Sequence, residues 1–276
     1  MTTIEAIFFW AAVWIYGISF IAFLYGFAFK KEKGIRVGWY LTIAGFIPHT
    51  TAIAVRWIAT GHPPVMKVYE NSLISAWFLV ALFMIIRHWH KRVEIIGVAV
   101  MPVALLMLGH GVMTGPQLEP LAPPFQSNWL WLHVFFVWAA YGAFCIAAGF
   151  AVIYLLKERA EAKGRVVDFY NRLPDLGILN ELMLRTVIFG FIALTVEIGA
   201  GSMWAYSLWG RYWGWDPVET WSLITWLIYG VDIHLGITLG WKGKRLAWLV
   251  IFSLISLFIT FGGIGYMSNV HTPMLG

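Results

Sequence analysis

The sequence is nearly devoid of cysteine. Cys145 is the single one, which excludes an internal disulfide and any CxxC redox pair. It lies inside a hydrophobic run, where a thiol behaves as a small packing residue. Charge is scarce too. Only 12% of the 276 residues are Asp, Glu, Lys or Arg, 60% are hydrophobic, and the mean hydropathy is +0.75. Soluble domains carry about twice that charged share, so the composition is that of a polytopic membrane protein. The first apolar run is too long for a cleavable signal peptide and has no basic residues before it. There is no internal repeat, no low-complexity tail and no sign of a second domain: residues 1–276 read as a single membrane domain.

What is present is a series of long apolar runs. A spanning helix needs about 20 such residues. Eight runs qualify, at roughly 4–29, 38–59, 71–90, 93–110, 129–156, 183–203, 218–240 and 246–267. The fourth is short and contains Pro102, tolerated in a membrane helix when neighbours satisfy the freed carbonyl. The expected fold is all-α, a bundle of about eight transmembrane helices. The formal charge of +5 does not call for nucleic acid, because the cations fall on alternate loops. Lys30, Lys31, Lys33 and Arg36 follow the first run, and Arg87, Lys91 and Arg92 the third. Lys157, Arg159, Lys163, Arg165 and Arg172 follow the fifth, and Lys242, Lys244 and Arg245 the seventh. That is fifteen of the nineteen Lys and Arg. The positive-inside rule makes this side cytoplasmic and turns both termini outward. The mixed-charge segment 157–182, with Val166, Val167, Phe169 and Leu173, reads as an interfacial helix on that face.

One outward stretch stands apart. Residues 204–221 read WAYSLWGRYWGWDPVETW, with Trp204, Trp209, Trp213, Trp215 and Trp221 among eighteen residues. Tyr206, Tyr212, Arg211, Asp216 and Glu219 lie between them. Aromatic residues gather at membrane interfaces, and Asp216-Pro217-Val218-Glu219 reads as a helix start, with Asp216 as N-cap, Pro217 at the first helical position and Glu219 at the third. Those readings leave the density of indoles unexplained. With Gly210 and Gly214 allowing close approach, the stretch reads as a platform for a flat apolar ligand.

The eight histidines sort by depth. His133, at the outer start of the fifth run, and His271, beyond the outer end of the eighth, stand at the level of the platform. His62 and His110 are also outward. His88 and His90 sit among cytoplasmic cations, and His49 and His234 lie within hydrophobic runs. A lone histidine is more often structural than a ligand, but intramembrane ionisable groups are costly and point to function. His234 follows Asp216 by eighteen residues, ~27 Å along a helix, so it belongs to a second, inner site or to a structural bond. Glu197 and Arg56 pair with each other, or Arg56 or Arg211 meets an anionic ligand. Two outward histidines beside an aromatic platform suit haem, whose iron takes axial imidazoles. Zinc suits less, with no thiolate and no evident third and fourth ligand.

The segment WGRYWGWDPVETWSLITWLIYGVDIH closely resembles the WWD signature of the CcsA/ResC family, the haem-handling subunit of system II cytochrome c biogenesis. GHPPVMKVYENSLISAW, from Gly61 to Trp77, resembles that family's loop into its third helix. The histidine further down the helix after WDPVETW favours CcsA over the CcmC form. The resemblance implies haem b, as substrate, held outside a bacterial cytoplasmic membrane, with the WWD segment on the periplasmic face. His133 and His271 match the axial ligands by placement, and His234 the inner-site histidine. Trp204, Trp209, Trp213, Trp215, Trp221, Asp216, Arg211 and Arg56 are the further candidates for contact with haem. The implied partners are a CcsB/ResB-like subunit, apocytochrome c and membrane lipid. The implied activity is that of a haem-lyase subunit joining haem to a CxxCH segment. The alternatives are a CcmC-like exporter that delivers haem without ligation, a HemX-like regulator, and a respiratory electron carrier.

Overall fold

Thr2 opens the first helix. Its hydroxyl accepts the Glu5 N–H at 3.1 Å and the Glu5 carboxylate accepts the Thr2 N–H at 3.1 Å, a reciprocal cap that satisfies two of the helix's orphan donors. From there a computed structural model describes residues 1–90, 92–164 and 168–262. The elements are α1 (Thr3–Ala28), α2 (Glu32–Thr60), α3 (Val68–Trp89), α4 (Gly97–Met113), α5 (Asn128–Ala162), the four-residue α6 (Asp168–Asn171), α7 (Leu176–Trp209), α8 (Pro217–Ile237) and α9 (Lys244–Gly262). Short 3₁₀ turns precede α4 and α5.

The protein is all-α and membrane-spanning. Among the described residues, five segments are long and apolar enough to cross a bilayer: α1, α3, Glu94–Met113, α5 and α7. Their outer surfaces suit lipid. On α1, Ile7, Trp14, Ile18 and Ile21 are more than half exposed, while the opposite face buries Phe9, Ala12, Tyr16, Ser19 and Phe23 at helical spacing. Polar groups turn inward, where other helices satisfy them.

Two boundary findings alter the sequence reading. Apolar runs mark contact with lipid, but backbone hydrogen bonds carry a helix on through polar residues, so α7 extends well beyond 183–203 at both ends. Trp204 and Trp209 are therefore helical and not part of a loop. The segment 157–182 is not one interfacial helix. It is divided among the end of α5, α6 and the start of α7.

The chain forms two compact units. The first, residues 1–121 with 165–174, is built on α1–α4. The Ser19 hydroxyl reaches the Gly38 carbonyl at 2.8 Å and Thr42 Oγ1 at 3.0 Å. His49 lies fully inside this unit. Its Nε2 donates to the Leu73 carbonyl at 3.0 Å, which leaves Nδ1 to accept from the Tyr16 hydroxyl at 3.3 Å. Arg56 has no exposed surface and lies 2.8 Å from Glu70 and 3.5 Å from Glu5. It also donates to the carbonyls of Pro116 and Gln117. The expected Arg56–Glu197 pair is thus replaced by Glu5 and Glu70, acids from the starts of α1 and α3.

The second unit, residues 122–164 with 175–276, is centred on α5. Every residue from Trp138 to Ala151 is buried, as expected of a helix apolar all round and surrounded by others. α7 and α9 pack on it. Asp232 on α8 accepts from Ser253 on α9 at 3.0 Å, and Thr225 meets Thr260 at 3.1 Å, so these polar groups link α8 to α9.

Candidate functional site

α8 starts as its residues dictate. The Asp216 carboxylate accepts the Val218 N–H at 2.9 Å, Pro217 takes the first helical position, and Glu219 completes the capping box. Glu219 does more than close the cap. Its Oε2 accepts the N–H of Gly214 at 2.7 Å and of Asp216 at 3.3 Å, one on each side of Trp215. Trp215 has φ +58, a left-handed conformation that a bulky residue rarely adopts. The carboxylate therefore bridges the strained residue and pins the Trp-rich turn to the helix start.

Arg211 fills the inside of that turn. Its Nη1 lies 3.7 Å from Glu219 and its Cζ 5.7 Å from the centroid of the Trp209 ring. A Cβ on residue 214 would fall 1.2 Å from Arg211 Nη1, so any larger residue there would push the guanidinium out of this position. Arg211 Nη1 is buried and makes no hydrogen bond among the described residues. At the other end of the turn, Gly210 closes α7 with φ +68.

His133 comes from α5 and faces α7. Its Nδ1 donates to the Glu197 backbone carbonyl at 3.0 Å and lies 3.4 Å from the Glu197 carboxylate. With the proton on Nδ1, the lone pair of the neutral ring is on Nε2, the tautomer suited to an iron ligand. The approach depends on Gly201, where a Cβ would lie 2.7 Å from Nδ1. Trp204 stacks on the imidazole with centroids 6.1 Å apart and 26° between planes. Its indole N–H donates to the Pro124 carbonyl at 3.0 Å, which fixes the ring, and Trp209 leans against it at 6.1 Å.

These groups line one cleft of about 100 Å³. His133, Glu197, Trp204, Trp209, Trp213 and Glu219 are among its walls. Trp213 meets Trp215 edge-on at 5.8 Å, and Trp215 is 70% exposed, so the indoles run from the buried Trp204 to an open shelf. Of the remaining sequence candidates, Arg211 and Asp216 shape the adjoining turn, and Trp221 lies on α8 outside the cleft lining. His234 is exposed in the last turn of α8, about five turns from the cap, and does not join the cleft. Arg56 belongs to the first unit. His271 lies outside the described residues. Glu197 and Gly201 were not singled out as partners of His133. The available signal was their spacing with Trp204, which puts all three on one face of α7.

Residues 65–271 match the family described as Cytochrome C assembly protein. The chain is 33% identical to the cytochrome c biogenesis protein CcsA of Guillardia theta, over 91% of this chain and 90% of that one. It is 30% identical to CcsA of Gloeobacter violaceus, over 80% of each. The chain belongs to the CcsA family. Cytochrome c biogenesis is its general role. Among solved structures, cytochrome c heme lyase CcmF has the same fold, with a TM-score of 0.70 at 16% identity. That match covers 99% of this CcsA-family chain and 49% of the other, so the chain spans about half the length of that structure.

Proposed function

We propose that the chain takes haem as its substrate, holds it at the outer membrane face on the Trp-rich shelf, and presents it for attachment to apocytochrome c. The observation that carries this reading is the cleft that joins the oriented His133 imidazole to three indoles. Enclosing a drug-sized ligand takes ~300–1,000 Å³, and this cleft has about 100 Å³. An edge of the macrocycle enters it and the rest lies over Trp213 and Trp215. His133 is one axial ligand, and His271 is the second by resemblance to the family. Of the two candidate arginines, Arg211 is assigned to a propionate, because the donors of Arg56 are taken up by Glu5, Glu70 and two backbone carbonyls. His234 is assigned to an inner, transit site.

Attachment itself needs no acid or base from this chain. Each thiol of a CxxCH segment adds across a haem vinyl group: sulfur bonds to one carbon, the thiol hydrogen goes to the other, and no electrons are gained or lost. The protein contributes positioning, which brings large accelerations when the reacting groups are held together. A CcsB/ResB-like subunit is the proposed partner. The membrane arrangement is one domain with eight spans, α1–α5 and α7–α9, both termini and the shelf being periplasmic.

Purified protein with bound haem tests the reading. His133→Ala and His271→Ala should each change the haem absorption spectrum and lower occupancy, and added imidazole should restore it. Identical spectra in wild type and both variants would remove the ligand assignment. Incubation with a CxxCH peptide should yield a covalent haem-peptide. Haem release to the peptide without a thioether would instead mark a delivery protein.

A further inference from the structure

One end of the first unit collects positive charge at the level where spanning helices leave the bilayer. The turn after α1 carries Lys30, Lys31 and, at the start of α2, Lys33; the turn after α3 carries Arg92. With Arg87, Arg36 and Arg172 they line a cleft of about 820 Å³. Its carboxylates are Glu32 and Glu94, and both are already engaged. Glu32 pairs with Arg36 at 2.9 Å and with Arg172, and Glu94 pairs with Arg87 at 2.8 Å. Lys30, Lys31, Lys33 and Arg92 meet no carboxylate among the described residues.

The backbone adds a second observation. Lys30 has φ +54 and Arg92 φ +76. A left-handed turn residue is most cheaply a glycine, yet both turns hold long cations there. The walls are not polar throughout. Ile35, Trp39 and Ile95 form an apolar side, and the Arg87 guanidinium lies 4.8 Å from the Trp39 ring centroid. A free inorganic anion would use only the cations. The combination of surplus cations, an apolar wall and a position at the ends of the α1 and α3 spans matches an anionic group attached to an apolar body within the membrane.

We propose that this cleft binds the phosphate headgroup of an anionic phospholipid, with the acyl chains leaving past Trp39 and Tyr40. Basic pockets at the ends of spanning helices attract such headgroups, and each Lys or Arg near the surface adds to the attraction. This site is independent of the shelf on the second unit.

The test uses the full chain in nanodiscs of phosphatidylcholine containing a minor share of cardiolipin or phosphatidylglycerol. Wild type should retain the anionic lipid in preference to phosphatidylcholine after detergent extraction, read by native mass spectrometry. The triple variant K31Q/K33Q/R92Q, changed only at exposed positions, should lose that preference by about tenfold or more. K163Q/K242Q/R245Q, which removes the same charge from the second unit, should behave as wild type. Equal retention of both lipid classes by wild type overturns the proposal, as does equal loss in the two triple variants. So does an unchanged K31Q/K33Q/R92Q. Two further arms separate other sources of anion. Titrations with inorganic phosphate and with zinc protoporphyrin should not distinguish wild type from K31Q/K33Q/R92Q. A variant that loses either while keeping anionic lipid overturns the lipid assignment.

Discussion

At the scale of the residue, Gly201 separates fold from function. Alanine is better than glycine in a helix interior by ~1 kcal/mol. A Cβ at 201 would nevertheless sit 2.7 Å from His133 Nδ1, so the imidazole must swing away and lose its bond to the Glu197 carbonyl, worth ~1 kcal/mol. The two terms nearly cancel in stability, whereas the imidazole does not return to its place in the cleft. Gly201→Ala should therefore melt within a few degrees of wild type in detergent while its haem spectrum changes as in His133→Ala. A wild-type spectrum would mean that the imidazole tolerates the shift and that Gly201 is only a packing residue. Arg56 is the opposite case, in which stability is at issue. Arg56→Met leaves Glu5 and Glu70 buried with the cation between them gone. Breaking a buried pair in this way costs ~3–5 kcal/mol. A large drop in thermal midpoint is expected, partly recovered when Glu70→Gln is added. No rescue in the double variant would show that lost packing, and not stranded charge, sets the cost.

At the scale of the element, the start of α8 is both the best-specified helix end and the support of the shelf. The residues Asp216, Pro217 and Glu219 predict the cap from sequence alone, because capping depends on neighbours within a few positions, and the structure has it. Asp216→Ala should remove about 1 kcal/mol of helix-end stabilisation. It also releases the turn that Glu219 pins across Trp215, so hydrogen exchange of the amides at 213–218 should quicken and haem occupancy fall, while Asp216→Asn retains most of both. Unaltered exchange would place the rigidity of the turn in the Tyr206–Tyr212 stack, whose rings lie 4.4 Å apart. Other elements were harder to read. The apolar runs located the long helices, but not that α7 continues to Trp209, since hydropathy records lipid contact and the ladder of hydrogen bonds does not stop where lipid does. Partner choice was less legible still. Glu197 and Arg56 were matched by charge and depth, yet each found its partner through packing: His133 through the gap left by Gly201, and Glu5 and Glu70 through helices that the sequence does not pair. The cleft at the end of the first unit was visible only as loop charges, because no local pattern says that turns sixty residues apart share a wall.

At the scale of the whole molecule, the distribution of Lys and Arg decides which way the chain crosses. Long polar loops translocate with little regard to charge, but short loops close to helix ends do not, and ten of the nineteen Lys and Arg lie in, or within five residues of, three short connections: after α1, after α3 and after α8. The intervening turns after α2 and α4 are poor in them, and the one after α7 holds only Arg211. Eight crossings with an outward start require reporters fused after Gly61, Gly115 and Gly210 to be outside, and those after Arg92, Gly164 and Gly240 inside. Alkaline phosphatase should be active at the first three points and silent at the others, with a cytoplasmic fluorescent reporter giving the reverse. The pair of fusions around α2, after Lys31 and after Gly61, carries the greatest weight. α2 holds the buried Arg56 and His49 and falls outside the five segments apolar enough to qualify by composition. It can cross only if its polar side chains are satisfied by α1 and α3, as the bonds from Arg56 to Glu5 and Glu70 and from His49 to Tyr16 and Leu73 provide. The same reporter signal at both points would keep α2 on one side of the bilayer and reverse every later crossing. The Trp-rich shelf would then face the cytoplasm, where it could not meet an exported apocytochrome.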